Sequence, residues 1–178
     1  MWSSVGYNGC KWEKVVRKVE LVRHQLRYGR AKRENMLLGE YTHNIDDKNR
    51  VSLPAKFRKE VGKKVVITHG LDNCLFLYPV REWEKIAEKL ASLSMGQADT
   101  RGFNRFMLAG AMDVDVDSVG RMLIPEHLKS FAKLDKEIVF TGVHNRIEVW
   151  NKGMWNEYKK KIQSEADTLA QKLGEVGA

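Results

Sequence analysis

The sequence lacks any run of 18 consecutive apolar residues, so no segment is long enough to cross a membrane as a helix. Its first residues also lack the continuous apolar stretch of a secretion signal, and the cytoplasm is the compartment that follows. Cysteine is scarce. Cys10 and Cys74 stand without a CxxC or a Cys/His ligand spacing, so neither a disulfide framework nor a zinc site is indicated, and Cys74, in an apolar run, reads as core. No Gly-rich phosphate loop occurs. His43, His69, His127 and His144 are scattered without a Ser or Cys partner and read as turn or surface positions. Asp113, Asp115 and Asp117 alternate, which on a strand puts them on one face, yet no His or Glu stands at a supporting spacing. Catalysis, a bound metal and a cofactor are therefore not expected. Low-complexity tracts are absent too, and with 43% hydrophobic and 30% charged residues most of the chain should fold.

Charge of one sign is in excess, but not where a folded domain would use it. The net charge is +8, and residues 1–35 carry nine Lys/Arg against three Asp/Glu, whereas the rest carries 22 against 20. Bulk basicity is thus weak evidence for nucleic acid, and basic residues must matter by position. One local patch stands out: Lys48, Arg50, Lys56, Arg58, Lys59, Lys63 and Lys64, opposed after Asp47 by Glu60 alone.

At 178 residues the chain suits one ordinary domain or two very small ones, and small units need mutual packing to bury a core. An internal repeat favours the second arrangement. Gly39-Glu-Tyr-Thr-His-Asn-Ile-Asp-Asp-Lys-Asn-Arg-Val-Ser-Leu-Pro54 aligns with Gly110-Ala-Met-Asp-Val-Asp-Val-Asp-Ser-Val-Gly-Arg-Met-Leu-Ile-Pro125, both containing Asp-x-x-x-Arg-x-x-x-Pro. After a one-residue shift, Val66 pairs with Ile138, Leu75 with Ile147, Tyr78 with Trp150 and Trp83 with Trp155.

Each copy reads as strand, tight turn, strand, short helix, hairpin and amphipathic helix. Lys48-Asn49 and Val119-Gly120 supply residues that tolerate positive φ, with Arg50 and Arg121 directly after them. Pro54 and Pro125 open short helices over 55–61 and 126–132. Hairpins then turn at Gly70-Leu71-Asp72-Asn73 and Gly142-Val143-His144-Asn145. Trp83, Ile86, Ala87, Leu90 and Leu93 share one helix face, as do Met154, Trp155, Tyr158, Ile162 and Leu169, and both stripes read as packing surfaces. The expected organisation is an extension at 1–35, repeats at 37–93 and 109–165, a polar connector at 94–108 that becomes helical from Phe103, and a C-terminal helix end and tail at 166–178.

Asp46, Lys48, Arg50, Pro54 and Arg58 resemble the MraZ motif Asp-x-Lys-Gly-Arg followed by Pro and Arg, and Asp117 to Arg121 with Pro125 resemble its companion. The resemblance covers about residues 36–165 and includes Leu75-Phe-Leu-Tyr-Pro79 before Trp83. It implies an α+β, β-rich fold, the double swapped-hairpin barrel of the SpoVT/AbrB superfamily, with two AbrB-like repeats interlocking in one chain and flanking helices outside. It further implies a cytoplasmic, nucleoid-associated transcriptional regulator that assembles into a ring-shaped homo-oligomer. Its partner would be double-stranded DNA, bound at direct repeats upstream of a division and cell-wall gene cluster that includes its own gene. Asn49 replaces the family's Gly, and the turn should survive because Asn reaches the left-handed region better than other non-glycine residues.

Within that resemblance, a turn ending in Arg suits DNA because guanidinium bonds bidentately to guanine O6 and N7 while neighbouring Lys residues meet phosphates. Arg50 is assigned to base reading, Lys48, Lys56 and Arg58 to phosphates, and Asn49 to either. Arg121 is the second-copy equivalent, but Asp113, Asp115 and Asp117 would repel phosphate, so the first copy should dominate. Asp46/Arg50 and Asp117/Arg121 can alternatively be salt bridges that shape the turns, and both roles can coexist. Other functions compatible with the sequence are an AbrB-like antitoxin and a scaffold that binds a protein partner through the Trp83 and Trp155 helices.

Residues 1–35 have no counterpart in the motif pattern, whose first strand follows a start such as Met36-Leu-Leu-Gly. One reading is a disordered basic tail that binds DNA nonspecifically. The other is a translated operator and leader. Val5-Gly6, Lys11-Trp12 and Val15-Val16 can be encoded with GTGG at offsets of about 0, 20 and 30 nucleotides, in phase with the DNA turn. Lys32-Arg33-Glu34 can encode a purine-rich ribosome-binding site just before Met36.

Overall fold

A computed structural model describes residues 36–175, and both readings of residues 1–35 lie outside the described residues. The first repeat forms β1 (Leu37–Asn44), β2 (Arg50–Ser52), α1 (Ala55–Val61), β3 (Lys64–His69), β4 (Leu75–Pro79) and α2 (Val80–Ala91). A connector helix α3 (Ala98–Asn104) runs into a single π-helical turn at Arg105–Ala109. The second repeat follows with β5 (Met112–Asp115), β6 (Arg121–Leu123), α4 (Glu126–Phe131), β7 (Glu137–His144), β8 (Arg146–Asn151) and α5 (Lys152–Glu175). Proline sets the helix starts. Pro54, Pro79 and Pro125 occupy the N-cap positions of α1, α2 and α4 with φ of −52°, −56° and −58°, where their missing N–H costs no helical bond.

The strands of the two repeats are shuffled together. The larger sheet has the order β1-β7-β8-β4-β3-β5, and β2 pairs with β6 in a separate two-stranded ribbon. The opening strand of each repeat is therefore paired in the other repeat: β1 with β7 from Leu37↔His144 to Asn44↔Glu137, and β5 with β3 from Lys64↔Asp115 to Ile67↔Met112. The hairpins β3–β4 and β7–β8 meet at the centre through Leu75↔Val149 and Leu77↔Ile147. No closed barrel ladder appears among the described residues, because β1 and β5 remain as sheet edges and the three-residue strands β2 and β6 form a ladder with each other, with a single bridge from Val51 to Ile45 beside it.

Period-two alternation divides the core between the faces of this sheet. Val65, Ile67, Leu75, Leu77, Ile147 and Val149 face the ribbon and the short helices, burying Val51, Leu53, Phe57, Met122, Ile124 and Leu128. Phe76, Tyr78 and Trp150 point the other way, toward Leu90 of α2, Met107 of the π-turn and Trp155 and Tyr158 of α5. The tryptophan stripes are packing surfaces: Trp83 lies 5.7 Å from Tyr78 and Trp155 5.4 Å from Trp150, ring centre to ring centre. Cys74 is buried here, and desolvation pushes its thiol far above the usual range.

Four local expectations are corrected. Gly142, Val143 and His144 belong to β7 rather than to a loop, because β1 pairs along that whole stretch, and the chain reverses at His144 (φ 60°) and Asn145. The connector is already helical from Ala98. Leu93 and Leu169 are exposed, since α2 ends at Ala91 and the distal part of α5 extends beyond its packed stretch. His69 is no surface residue. It stacks on Phe106 and donates from Nδ1 to the Phe106 carbonyl at 3.0 Å, while buried Thr68 donates to the Met107 carbonyl at 2.6 Å. Both carbonyls belong to the π-turn. Gly110 makes this approach possible, for a Cβ there would stand 2.2 Å from His69 Nδ1.

Candidate nucleic-acid interface

The motif residue Asp46 builds a turn before any ligand is involved. Its carboxylate accepts the backbone N–H of Lys48 at 2.9 Å, the backbone N–H of Arg50 at 2.8 Å and Arg50 Nε at 2.8 Å, with Arg50 Nη2 at 2.7 Å. The backbone closes in register, Asp46 N–H to the Arg50 carbonyl at 2.8 Å and Asn49 N–H to the Asp46 carbonyl at 2.9 Å. Asn49 takes the positive φ, 57°. Hydrogen bonds from the Arg50 guanidinium and then the Arg50 backbone, aided by the Lys48 backbone N–H, hold the Asp46 carboxyl down at about 2.

The second copy repeats this bond for bond. Asp117 accepts the N–H of Val119 at 3.0 Å and of Arg121 at 2.8 Å, and Arg121 Nε at 2.8 Å. Gly120 takes the positive φ, 83°. The Asp117 carboxyl is likewise lowered, chiefly by the Arg121 backbone N–H. The salt-bridge alternative therefore holds at both pairs as geometry. It does not consume the arginines: Asp46 takes two of the five N–H donors of Arg50 and does not take the other three.

The ribbon brings the two turns together. Val51 pairs with Met122 and both side chains are buried, which sends the flanking pairs Arg50↔Leu123 and Ser52↔Arg121 to the opposite, outer face. Arg50 and Arg121 thus stand diagonally on one surface, with Ser52 and the exposed Leu123 between them. The turns also hold each other's strands, Leu53 N–H bonding the Gly120 carbonyl at 2.9 Å and Ile124 N–H the Asn49 carbonyl at 2.8 Å.

The remaining candidates separate. Lys48, in the first turn, and Lys56, on α1, are exposed. Arg58 is half-buried, donates from Nε to the Leu53 carbonyl at 2.7 Å and lies directly against Gly120. The Asn49 side chain accepts from Lys129 Nζ at 2.7 Å and donates to Glu126. Sequence reasoning missed Glu126, Lys129, Ser52 and Leu123. The repeat offset could have found Lys129, which aligns with Arg58, and period two could have found the outer-face pair. Asp113 and Asp115 lie exposed on the edge strand β5, with Lys64 Nζ 3.9 Å from Asp113. Among the described residues no group of three His, Cys, Asp or Glu side chains is placed to hold a metal, and no helix is long and apolar enough to cross a membrane.

Comparison with known proteins bears on the same segments. The family model described as "MraZ protein, putative antitoxin-like" matches twice, over residues 36–106 and 107–174. The chain belongs to the MraZ family. A relative named transcriptional regulator MraZ from Caldanaerobacter subterraneus subsp. tengcongensis is 50% identical over 138 residues, 78% of this chain and 96% of the relative. Those of Moorella thermoacetica and Thermoanaerobacter sp. (strain X514), with the same name, are 47% identical over 138 residues and 46% over 141, covering 96% and 99% of each relative. MraZ proteins are regulators of transcription, not enzymes. The two matches also mean that the duplication seen in the sequence is a duplication of the family unit itself, each copy contributing one Asp-anchored turn.

Proposed function

We propose that this chain is a sequence-specific, DNA-binding transcriptional regulator that reads direct repeats upstream of a division and cell-wall gene cluster including its own gene. The observation that carries this reading is the pair of Asp-anchored turns presenting Arg50 and Arg121 on the outer face of one ribbon. A two-stranded ribbon fits the major groove, and a guanidinium held by a carboxylate arrives pre-oriented for guanine O6 and N7. Arg50 reads a base; Lys48 and Lys56, both exposed, meet phosphates; Arg121 adds a second contact on the same face, weaker because its turn carries Val119 where the first carries Lys48.

The reciprocal pairing of β1 with β7 and β5 with β3 supports the double swapped-hairpin reading of the fold. Ring-shaped self-association, cytoplasmic and at the nucleoid, would set several such faces along one DNA molecule and add avidity to modest single sites. A gel shift of the full chain tests the function, comparing the upstream DNA of its own gene with the same DNA carrying scrambled repeats. The upstream DNA should be preferred, with affinity falling steeply as salt rises. Equal binding to the two DNAs would remove sequence specificity, and absence of binding would leave a scaffold or antitoxin-like role.

A further inference from the structure

The helices α1 and α4 each end up against the turn of the opposite repeat. Position 58 in the first repeat corresponds to position 129 in the second, and both are basic. Lys129 of α4 donates to the Asn49 side chain of the first turn at 2.7 Å, and Glu126, on the same helix, accepts from its amide. Arg58 of α1 lies against Gly120 of the second turn so closely that a Cβ there would meet its guanidinium at 2.2–2.4 Å. A depression of about 430 Å³ between Arg58, Gly62 and Lys63 on one side and Asp117, Ser118 and Gly120 on the other marks the same contact.

We propose that the two DNA-reading turns are positioned crosswise: Glu126 and Lys129 hold the Arg50 turn through Asn49, and Arg58 holds the Arg121 turn through Gly120. This rests on the DNA-reading assignment above and reassigns Arg58 from phosphate contact to positioning. The residue types follow from the two turns. Gly120 offers no side chain, so the second turn is held by a flat guanidinium packed on bare backbone. Asn49 offers an acceptor and a donor at one amide, and α4 answers with an ammonium and a carboxylate. In the first copy the residue aligned with Glu126 is Ala55, so the hydrogen-bonded clamp exists only at the first turn. Asn at this site is therefore more than a tolerated substitute for Gly, since its amide ties the reading turn to the other half of the molecule.

The test uses the full chain and two readouts. Amide hydrogen exchange without DNA compares residues 46–50 with 117–121 in the parent, Lys129→Met, Asn49→Gly and Arg58→Ala proteins, all checked for a parental melting profile. Lys129→Met and Asn49→Gly should each speed exchange in 46–50 by roughly fivefold or more and leave 117–121 unchanged, and Arg58→Ala should do the reverse. Their double variant should be no faster than either single one. Asn49→Gly keeps the positive φ, so it reports the clamp even if Lys129→Met proves poorly folded. Titration with the upstream DNA should then show affinity reduced about five- to tenfold with an unchanged salt slope. Parental exchange in 46–50 together with a salt slope lowered by about one would make Lys129 a phosphate contact and overturn the proposal, as would the same result at 117–121 for Arg58. If the parent binds no DNA, the regulator reading fails while the exchange pattern still decides the crosswise contacts.

Discussion

Replacing Arg50 tests the assignment on which the regulator reading depends. The guanidinium is held to one carboxylate oxygen of Asp46 by Nε and Nη2, with N–H donors to spare for a base edge. A bidentate arginine–guanine pair is worth about 1–3 kcal/mol of discrimination against the wrong base, so Arg50→Ala should cost roughly 5- to 150-fold in preference for the upstream repeats. The variant also uncovers the Asp46 carboxylate beside the DNA, which deepens the loss through repulsion of phosphate. Arg50→Lys keeps the charge but not the fork, and separates reading from attraction: binding to scrambled DNA should stay near the parent while preference for the repeats collapses. Arg50 is 37% exposed at its side chain, so the ion pair adds little to stability and both variants should melt near the parent. The assay is fluorescence anisotropy at several salt concentrations on repeat-bearing and scrambled duplexes. A folded Arg50→Ala protein that still discriminates as the parent does would refute the reasoning, and so would an equal loss on both duplexes with the salt slope reduced by about one, because that is the behaviour of a phosphate contact.

Arg121→Ala should also reduce preference for the repeats, but by less than Arg50→Ala in the same anisotropy series; parental binding would mean that a single turn reads the DNA. Gly110→Ala forces a Cβ to within 2.2 Å of His69 and should destabilise the fold by about 1–3 kcal/mol, visible as a lowered urea midpoint. Phe57→Ala empties a fully buried site packed edge-on against Tyr41 at 5.1 Å and should cost about 3–5 kcal/mol by the same measurement. Asp46 has its carboxyl depressed from 3.8 to about 2, so its contribution to turn order is fully present above about pH 4 and disappears as pH falls through 2. A carboxyl titration by NMR should give that midpoint, and one near 3.8 would mean that the turn bonds are not formed in solution.

The repeat, the turn residues and the helix starts were legible because each is a local signal. Asn49 and Gly120 are the positions that permit positive φ, and Pro54 and Pro125 stand where helices can begin. Strand exchange was not legible from periodicity, since alternation in Leu37–Asn44 says which face is buried but not which neighbour supplies the ladder. The misplaced loop at 142–144 follows from the same blindness: Gly142 reads as turn punctuation, yet a Cβ there would meet the Leu37–Leu38 backbone at 2.7 Å, so the glycine serves close strand approach instead. Arg58 and Asn49 were assigned to DNA by residue type, and sequence alone does not show that Arg58 donates to the Leu53 carbonyl beside Gly120 or that Asn49 bonds Glu126 and Lys129 of α4.

The crosswise contacts change what the duplication accomplishes. If each repeat built its own turn and its own support, the second copy could drift without consequence for the first. Here the first turn leans on α4, the second on α1, and the backbone of each turn bonds a strand end of the other repeat. The second turn carries Val119 where the first carries Lys48, yet Glu126 and Lys129 of that same copy hydrogen-bond the first turn. Under the proposed DNA contact, loss of symmetry in the DNA-facing residues is compatible with retained symmetry in the fold: one repeat would supply more of the contact, the other more of the support. Substitutions of Glu126 or Lys129 in α4, a helix outside the turn motif, should accordingly alter DNA discrimination through the Arg50 turn before they alter stability, because these side chains touch that turn and are not part of the buried core.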